Sequence, residues 1–175
     1  MKFKDIPQLT PPGSYEMNCH LPYLIRWIHE QEQELGLQLQ PDFQRNHVWT
    51  EEQQIHFIEF LLKGGKSNRV LYFNHPGWMT DFNHHEGYNE FVCVDGLQRI
   101  TAIQRFINNE IPVFGQYYYK DFEDRLPLDI DVRVNINNLQ TKKAVLQWYV
   151  DINTGGTPHT NTEIQKVQDM IKQEP

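Results

Sequence analysis

An acid, an amide and a guanidinium stand close together in "VDGLQRI", residues 94–100. They follow an apolar run, "FVCV" at 91–94, and open a stretch patterned as a helix. Gly96 lets the backbone turn sharply and come near a ligand. The first N–H groups of a helix lack intrahelical partners, and the partial positive charge there favours an anion. Arg99, in the first turn, adds a planar fork that matches phosphate oxygens. Gln98 donates or accepts, and Asp95 at the strand end suits a metal ion or the orientation of a water or hydroxyl. Strand, Asp-Gly-x-Gln-Arg, helix therefore reads as a phosphate cradle. The same letters also suit a plain turn, with Asp95 as a cap and Arg99 paired to a neighbouring acid.

Other residues compete for a place at such a cradle. Arg45 follows a strand-like run broken at Pro41, and a second arginine beside Arg99 would make a triphosphate clamp. "NTGGTP" at 153–158 offers two glycines, threonine hydroxyls and free N–H groups as a second wall, although such strings also end helices generally. It lacks the Gly-Lys-Ser/Thr of a Walker A loop. His75, His84, His85 and Glu86 supply metal-ligand types, but adjacent histidines in a loop do not fix a zinc geometry. With Trp78 and Phe82 that loop reads better as a cover for the pocket or a partner contact. His29 and His56 lie on expected helices, and no spacing argues a Ser-His-Asp or Cys-His arrangement.

The elements that must position these groups are legible from periodicity. Leu21, Leu24, Ile25 and Ile28 recur at helical spacing, with Gly36 as the stop. "LQLQ" at 37–40 alternates like a short strand. Thr50 with Gln53 is a capping box, and Ile55, Ile58, Leu61 and Leu62 form the buried stripe of the helix it opens. Strands are expected at 69–73, 91–94, 111–119 and 129–136, and helices at 98–110, 141–153 and 161–172. Residues 1–19 read as an irregular lead-in and 20–175 as one domain. Strands interspersed with helices predict an α+β domain with a mixed sheet flanked by helices. The helix after 91–94 would then start at the carboxyl end of a strand, where ligands bind in such sheets.

Composition bounds the function. The 175 residues suit one buried core, with 39% hydrophobic and 22% charged residues. Sixteen Lys+Arg against 23 Asp+Glu leave a net charge of −7, which disfavours a generic basic surface for nucleic acid. An anion must be held by a few placed groups. Cys19 and Cys93 imply no disulfide framework, no run reaches the roughly 18 apolar residues of a membrane span, and the N-terminus lacks an apolar signal region. A cytoplasmic location is expected.

"VDGLQRITAI" resembles the DGQQR motif of the DUF262 family, the domain at the N-terminal end of GmrSD-type and related type IV restriction and phage-defence proteins. "PDFQRNHVWTEEQQIHFIEFLLKG" is similar to that family's Tyr-Gln-Arg-x-x-x-Trp stretch and following helix, and "YVDINTGGTPHTNTEI" to its Asn-x-Gly-Thr-Pro-Leu segment. The three lie in the family's order over roughly residues 37–165. The resemblance implies a ParB/sulfiredoxin-like fold, in which strand, Gly-x-x-Arg, helix binds nucleotide phosphates.

Carried over by position, the family's acid, glycine, glutamine and arginine fall on Asp95, Gly96, Gln98 and Arg99. Its first glutamine is replaced by Leu97, which implies binding without efficient hydrolysis if that amide touches base or water in relatives. Gln44, Arg45 and Trp49 match the upstream motif; Asn153, Gly155, Gly156, Thr157 and Pro158 match the third, with His159 where Leu is usual. The implied catalytic set is Asp95, Gln98 and Arg99, with Asp95 on Mg²⁺. The implied nucleotide contacts are Gln44, Arg45, Gly96, Arg99, Thr101, Asn153, Gly155, Gly156 and Thr157. Family members that cut DNA carry a C-terminal His-Asn-His nuclease half, for which the residues beyond 165 leave no room. The expectation is a domain that binds, and in the fuller reading hydrolyses, a nucleoside triphosphate with Mg²⁺. The alternatives are a non-catalytic module that meets a nuclease or other defence partner, and a DNA-binding or nicking domain.

Overall fold

Helical stripes and the strands at 70–74, 92–95 and 131–137 divide most of the chain where its periodicity places them, and they assemble around a mixed sheet. The structure, a computed structural model, describes residues 2–6, 15–78, 87–154 and 161–174. Its strands are β1 (Tyr15–His20), β2 (Val70–Asn74), β3 (Val92–Asp95) and β4 (Asp131–Asn137), in the sheet order β1-β4-β2-β3. β1 runs antiparallel to β4, with His20 opposite Asp131. β2 runs parallel to β4, with Val70 opposite Arg133, and antiparallel to β3, with Tyr72 opposite Asp95. Among the described residues five α-helices flank the sheet: α1 (Leu21–Leu35), α2 (Glu51–Leu62), α3 (Leu97–Ile107), α4 (Lys142–Thr154) and α5 (Asn161–Gln173). The domain is α+β and single.

β3 shows how the pleat splits the core. Cys93 joins Trp27, Ile58, Ile100, Ile103 and Phe106 in the layer beneath α1, α2 and α3. Val92 and Val94 face the other way, into a layer with Phe43, Val145 and Tyr149. All three strand residues are fully buried, so "FVCV" reads as an unbroken apolar run rather than an alternating one. The outer edge of β3 is covered by a single bridge: Gln38 donates its N–H to Phe91 O and accepts that of Cys93. That bridge is all that forms of the strand expected at 37–40. Its neighbour Leu37 is buried and Pro41 follows closely, so the ladder ends where the proline lacks a donor.

Two further departures have plain causes. Residues 15–19 of the expected lead-in form β1 together with His20, and its apolar alternation is weak because one face is exposed: only Cys19 is buried. The strand expected at 111–119 reduces to a Val113–Tyr117 bridge, because Phe114 and Gly115 take positive φ values of 50° and 84° and turn the chain. At α2, Thr50 Oγ1 accepts from Gln53 N–H at 3.3 Å and Gln53 Oε1 accepts from Thr50 N–H at 2.9 Å, the reciprocal box expected from the sequence. No described helix is long and apolar enough to cross a membrane.

Asn74, fully buried at the end of β2, closes the loop that leads from β4 into α4. Its Nδ2 donates to Leu139 O at 3.1 Å and its Oδ1 accepts from Leu139 N–H at 2.8 Å. Removing that side chain leaves two backbone groups without partners. Asn74→Ala is expected to lower the unfolding free energy by about 2 kcal/mol, read as a reduced urea midpoint at unchanged slope.

Candidate functional site

The turn between β3 and α3 sets the site. Gly96 has φ 136°, and a Cβ there would lie 2.8 Å from Cδ2 of Leu71, a fully buried residue in the neighbouring strand. Only glycine fits both the dihedral and the space. The backbone can thus reverse against β2, leaving Asp95 at the strand end and Arg99 one helical turn later. No side chain caps α3 at this end. Arg99 Nη2 donates to Asp95 Oδ2 at 2.5 Å, the ordinary first-turn pairing, yet both groups also face a cavity of about 280 Å³. Arg99 Nε is buried without a hydrogen-bond partner among the described residues.

A second segment, residues 44–49, is strapped across the start of α3. Gln98 holds it: its Oε1 accepts from Val48 N–H at 2.9 Å and Trp49 N–H at 3.0 Å, and its Nε2 donates to Asn46 O at 3.3 Å. Gln44 anchors the other end of the strap, donating Nε2 to Cys93 O at 3.1 Å. Between these tethers, Arg45 reaches the cavity, and Trp49 walls it with its ring 5.4 Å from that of Phe57 on α2. Asn68, just before β2, and Ile152 and Asn153, at the end of α4, complete the lining. Among the described lining residues, two guanidinium groups therefore meet one carboxylate, a local surplus of positive charge inside an acidic protein.

Of the residues singled out by sequence, Asp95, Gly96, Gln98, Arg99, Arg45 and Asn153 line this one cavity. Gln98 does so with both ends of its amide committed to the strap, so it acts on the site by holding Arg45 and Trp49. Gln44 likewise tethers the strap from outside the cavity. Thr101 lies outside it too; its hydroxyl donates back to Leu97 O at 2.9 Å. Leu97, the departure from the family's motif, is buried and does not line the cavity. Gly155, Gly156 and Thr157 fall outside the described residues, as do Phe82, His84, His85 and Glu86. His75 is buried, with Nδ1 accepting the Gly77 N–H at 3.0 Å, and Trp78 packs on Phe91 at 5.6 Å rather than over the cavity.

Sequence reasoning missed Asn68, Phe57 and Ile152. Asn68 announces itself only as a turn former, taken up here at φ 55°, and Phe57 as one more ring on an apolar helix stripe. Nothing in either pattern says which cavity it borders. His47 on the strap is held below its ordinary imidazole value, first by burial and then by the Arg105 charge, so it stays neutral at pH 7 and adds nothing to the positive field. Among the described residues, no group of three or more His, Cys, Asp or Glu gathers for a metal.

Two substitutions test this construction. Gly96→Ala is expected to cost about 2–3 kcal/mol in urea unfolding, from the positive φ and the clash with Leu71. Gln98→Ala leaves the Val48 and Trp49 N–H groups without their acceptor, so the strap loosens by about 1–2 kcal/mol. Limited proteolysis should then cleave near residues 45–49 several times faster, while the global urea midpoint moves little.

A family model described as the N-terminal domain of GmrSD restriction endonuclease matches residues 25–133, more than half of the chain. The match takes in the strap, the Asp-Gly turn and α3, and stops before the α4 wall. No curated protein and no solved structure matches. The chain belongs to the family of GmrSD restriction endonuclease N-terminal domains.

Proposed function

We propose that this domain binds a nucleoside triphosphate through its phosphates, as the sensing or hydrolysing half of a restriction or phage-defence system. The observation that carries this reading is the convergence of Arg45 and Arg99 on one cavity at the uncapped start of α3. Paired guanidinium groups and a helix N-terminus are the groups that hold a polyphosphate in water. An isolated carboxylate pair or an apolar cleft would suggest something else; here the sole carboxylate among the described lining residues is Asp95.

Magnesium fits the donor set in a limited way. A single carboxylate is what this ion takes from a protein when phosphate oxygens and water fill its other positions. Asp95 would hold it, and it would supply neutralisation of charge on the phosphate oxygens. Arg99, paired with Asp95, would present its fork to phosphate, and Asp95 would hold the ion. Arg45 approaches from the strap and stabilises the outer phosphate. The Gly96 turn keeps the backbone close without a side chain in the way.

A second reading, binding without turnover, is favoured by two features. Gln98 has both ends of its amide committed to the strap, and no histidine is found among the described lining residues. Hydrolysis would rest on Asp95 alone.

Calorimetric titration with ATP, GTP, CTP and UTP in magnesium tests the proposal. Wild-type protein should bind at least one of them, and Arg99→Ala should weaken that binding by about a hundredfold, since it removes a charge-assisted fork and leaves Asp95 facing phosphate. Unchanged affinity in Arg99→Ala would remove the reading. Phosphate release that is absent in wild type, despite binding, selects the second form of it.

A further inference from the structure

We propose that the groove beside the cradle, between α2 and the 67–68 turn, seats the nucleobase and so selects the nucleotide. This rests on the phosphate reading above and extends it. The groove has a volume of about 560 Å³ and shares Trp49, Phe57 and Asn68 with the arginine cavity, so the two hollows adjoin at the same side chains. A ligand with a phosphate end and an aromatic end would lie across that junction.

The two hollows differ in chemistry. Neither Lys nor Arg is among the described residues of the groove, and Glu52 stands at its rim. A carboxylate there repels phosphate and accepts from ring N–H or exocyclic amino groups, which fixes the direction of the ligand: phosphates toward Arg45 and Arg99, base toward Glu52. His56, an exposed residue one turn farther along the same face of α2, adds a second polar group. The walls are rings. Trp49 and Phe57 meet at 62°, and Phe60 lies so close over Gly65 that a Cβ there would sit 2.3 Å from Phe60 Cζ. Gly65 thereby lets the Phe60 ring come close against the backbone. Aromatic faces with a few polar groups at the rim are how proteins hold a base, by stacking for strength and by hydrogen bonds for choice.

The test separates the base from the phosphates. Wild type, Phe60→Ala and Glu52→Gln are titrated with ATP, GTP, CTP, UTP and inorganic tripolyphosphate, all with magnesium. In Phe60→Ala the nucleotides should weaken by about tenfold, the loss of one stacking wall, while tripolyphosphate stays within about twofold. Glu52→Gln, on the exposed side of α2, should fold as wild type and reorder the four nucleotides while leaving tripolyphosphate unchanged. Variants that weaken tripolyphosphate and nucleotides alike, or that alter neither, overturn the base seat while leaving the cradle. If neither tripolyphosphate nor any nucleotide binds wild-type protein, the cradle itself fails and the base seat falls with it.

Discussion

The amide of Gln98 accepts two backbone N–H groups and donates to a carbonyl, and through those three bonds it draws residues 46–49 onto the start of α3. Fifty positions of sequence separate Val48 from Gln98, so no local rule would bring the two segments together. The site depends on this side chain because Arg45 and Arg99 belong to different elements. A primary amide suits such a tether, since it satisfies an irregular stretch of backbone with both a donor and an acceptor and brings no charge to compete with the arginines. Its cost is that the same amide is no longer available to a ligand.

Around that bond the site is a matter of charge arranged against the average. The chain carries −7 overall, yet the described residues lining the hollow at the end of β3 bring two guanidinium groups and one carboxylate. In the Asp95–Arg99 pair the acid is partly exposed and the guanidinium largely buried, and both line the cavity where a ligand would meet them. Arg99 Nε has no hydrogen-bond partner among the described residues, so the guanidinium is held in place but not fully satisfied.

Much of this was written plainly in the sequence. The "VDGLQR" run showed an acid, a glycine and a first-turn arginine at a strand-to-helix junction, and the structure gives Gly96 the positive φ that such a junction needs. The Thr50–Gln53 box, the Gly36 stop and the helix stripes were equally readable, because each is a local rule. Roles that depend on long-range contact were not. Gln98 and Gln44 looked like ligand groups, since an amide beside an arginine does not say which backbone it will meet. Phe57 and Asn68 carried no local sign of the cavity they border. β1 was hidden because its pairing with β4, more than a hundred residues away, leaves one face exposed and its alternation faint.

The central claim is that the strap and the start of α3 together grip the phosphates of a nucleotide. Backbone hydrogen exchange of the wild-type protein, with and without a saturating nucleoside triphosphate and magnesium, addresses it most directly. The account predicts slowed exchange concentrated in residues 45–49 and 95–99, the two segments that Gln98 joins. Slowed exchange confined to the 111–130 region, or no change at either segment while nucleotide is demonstrably bound, would contradict it.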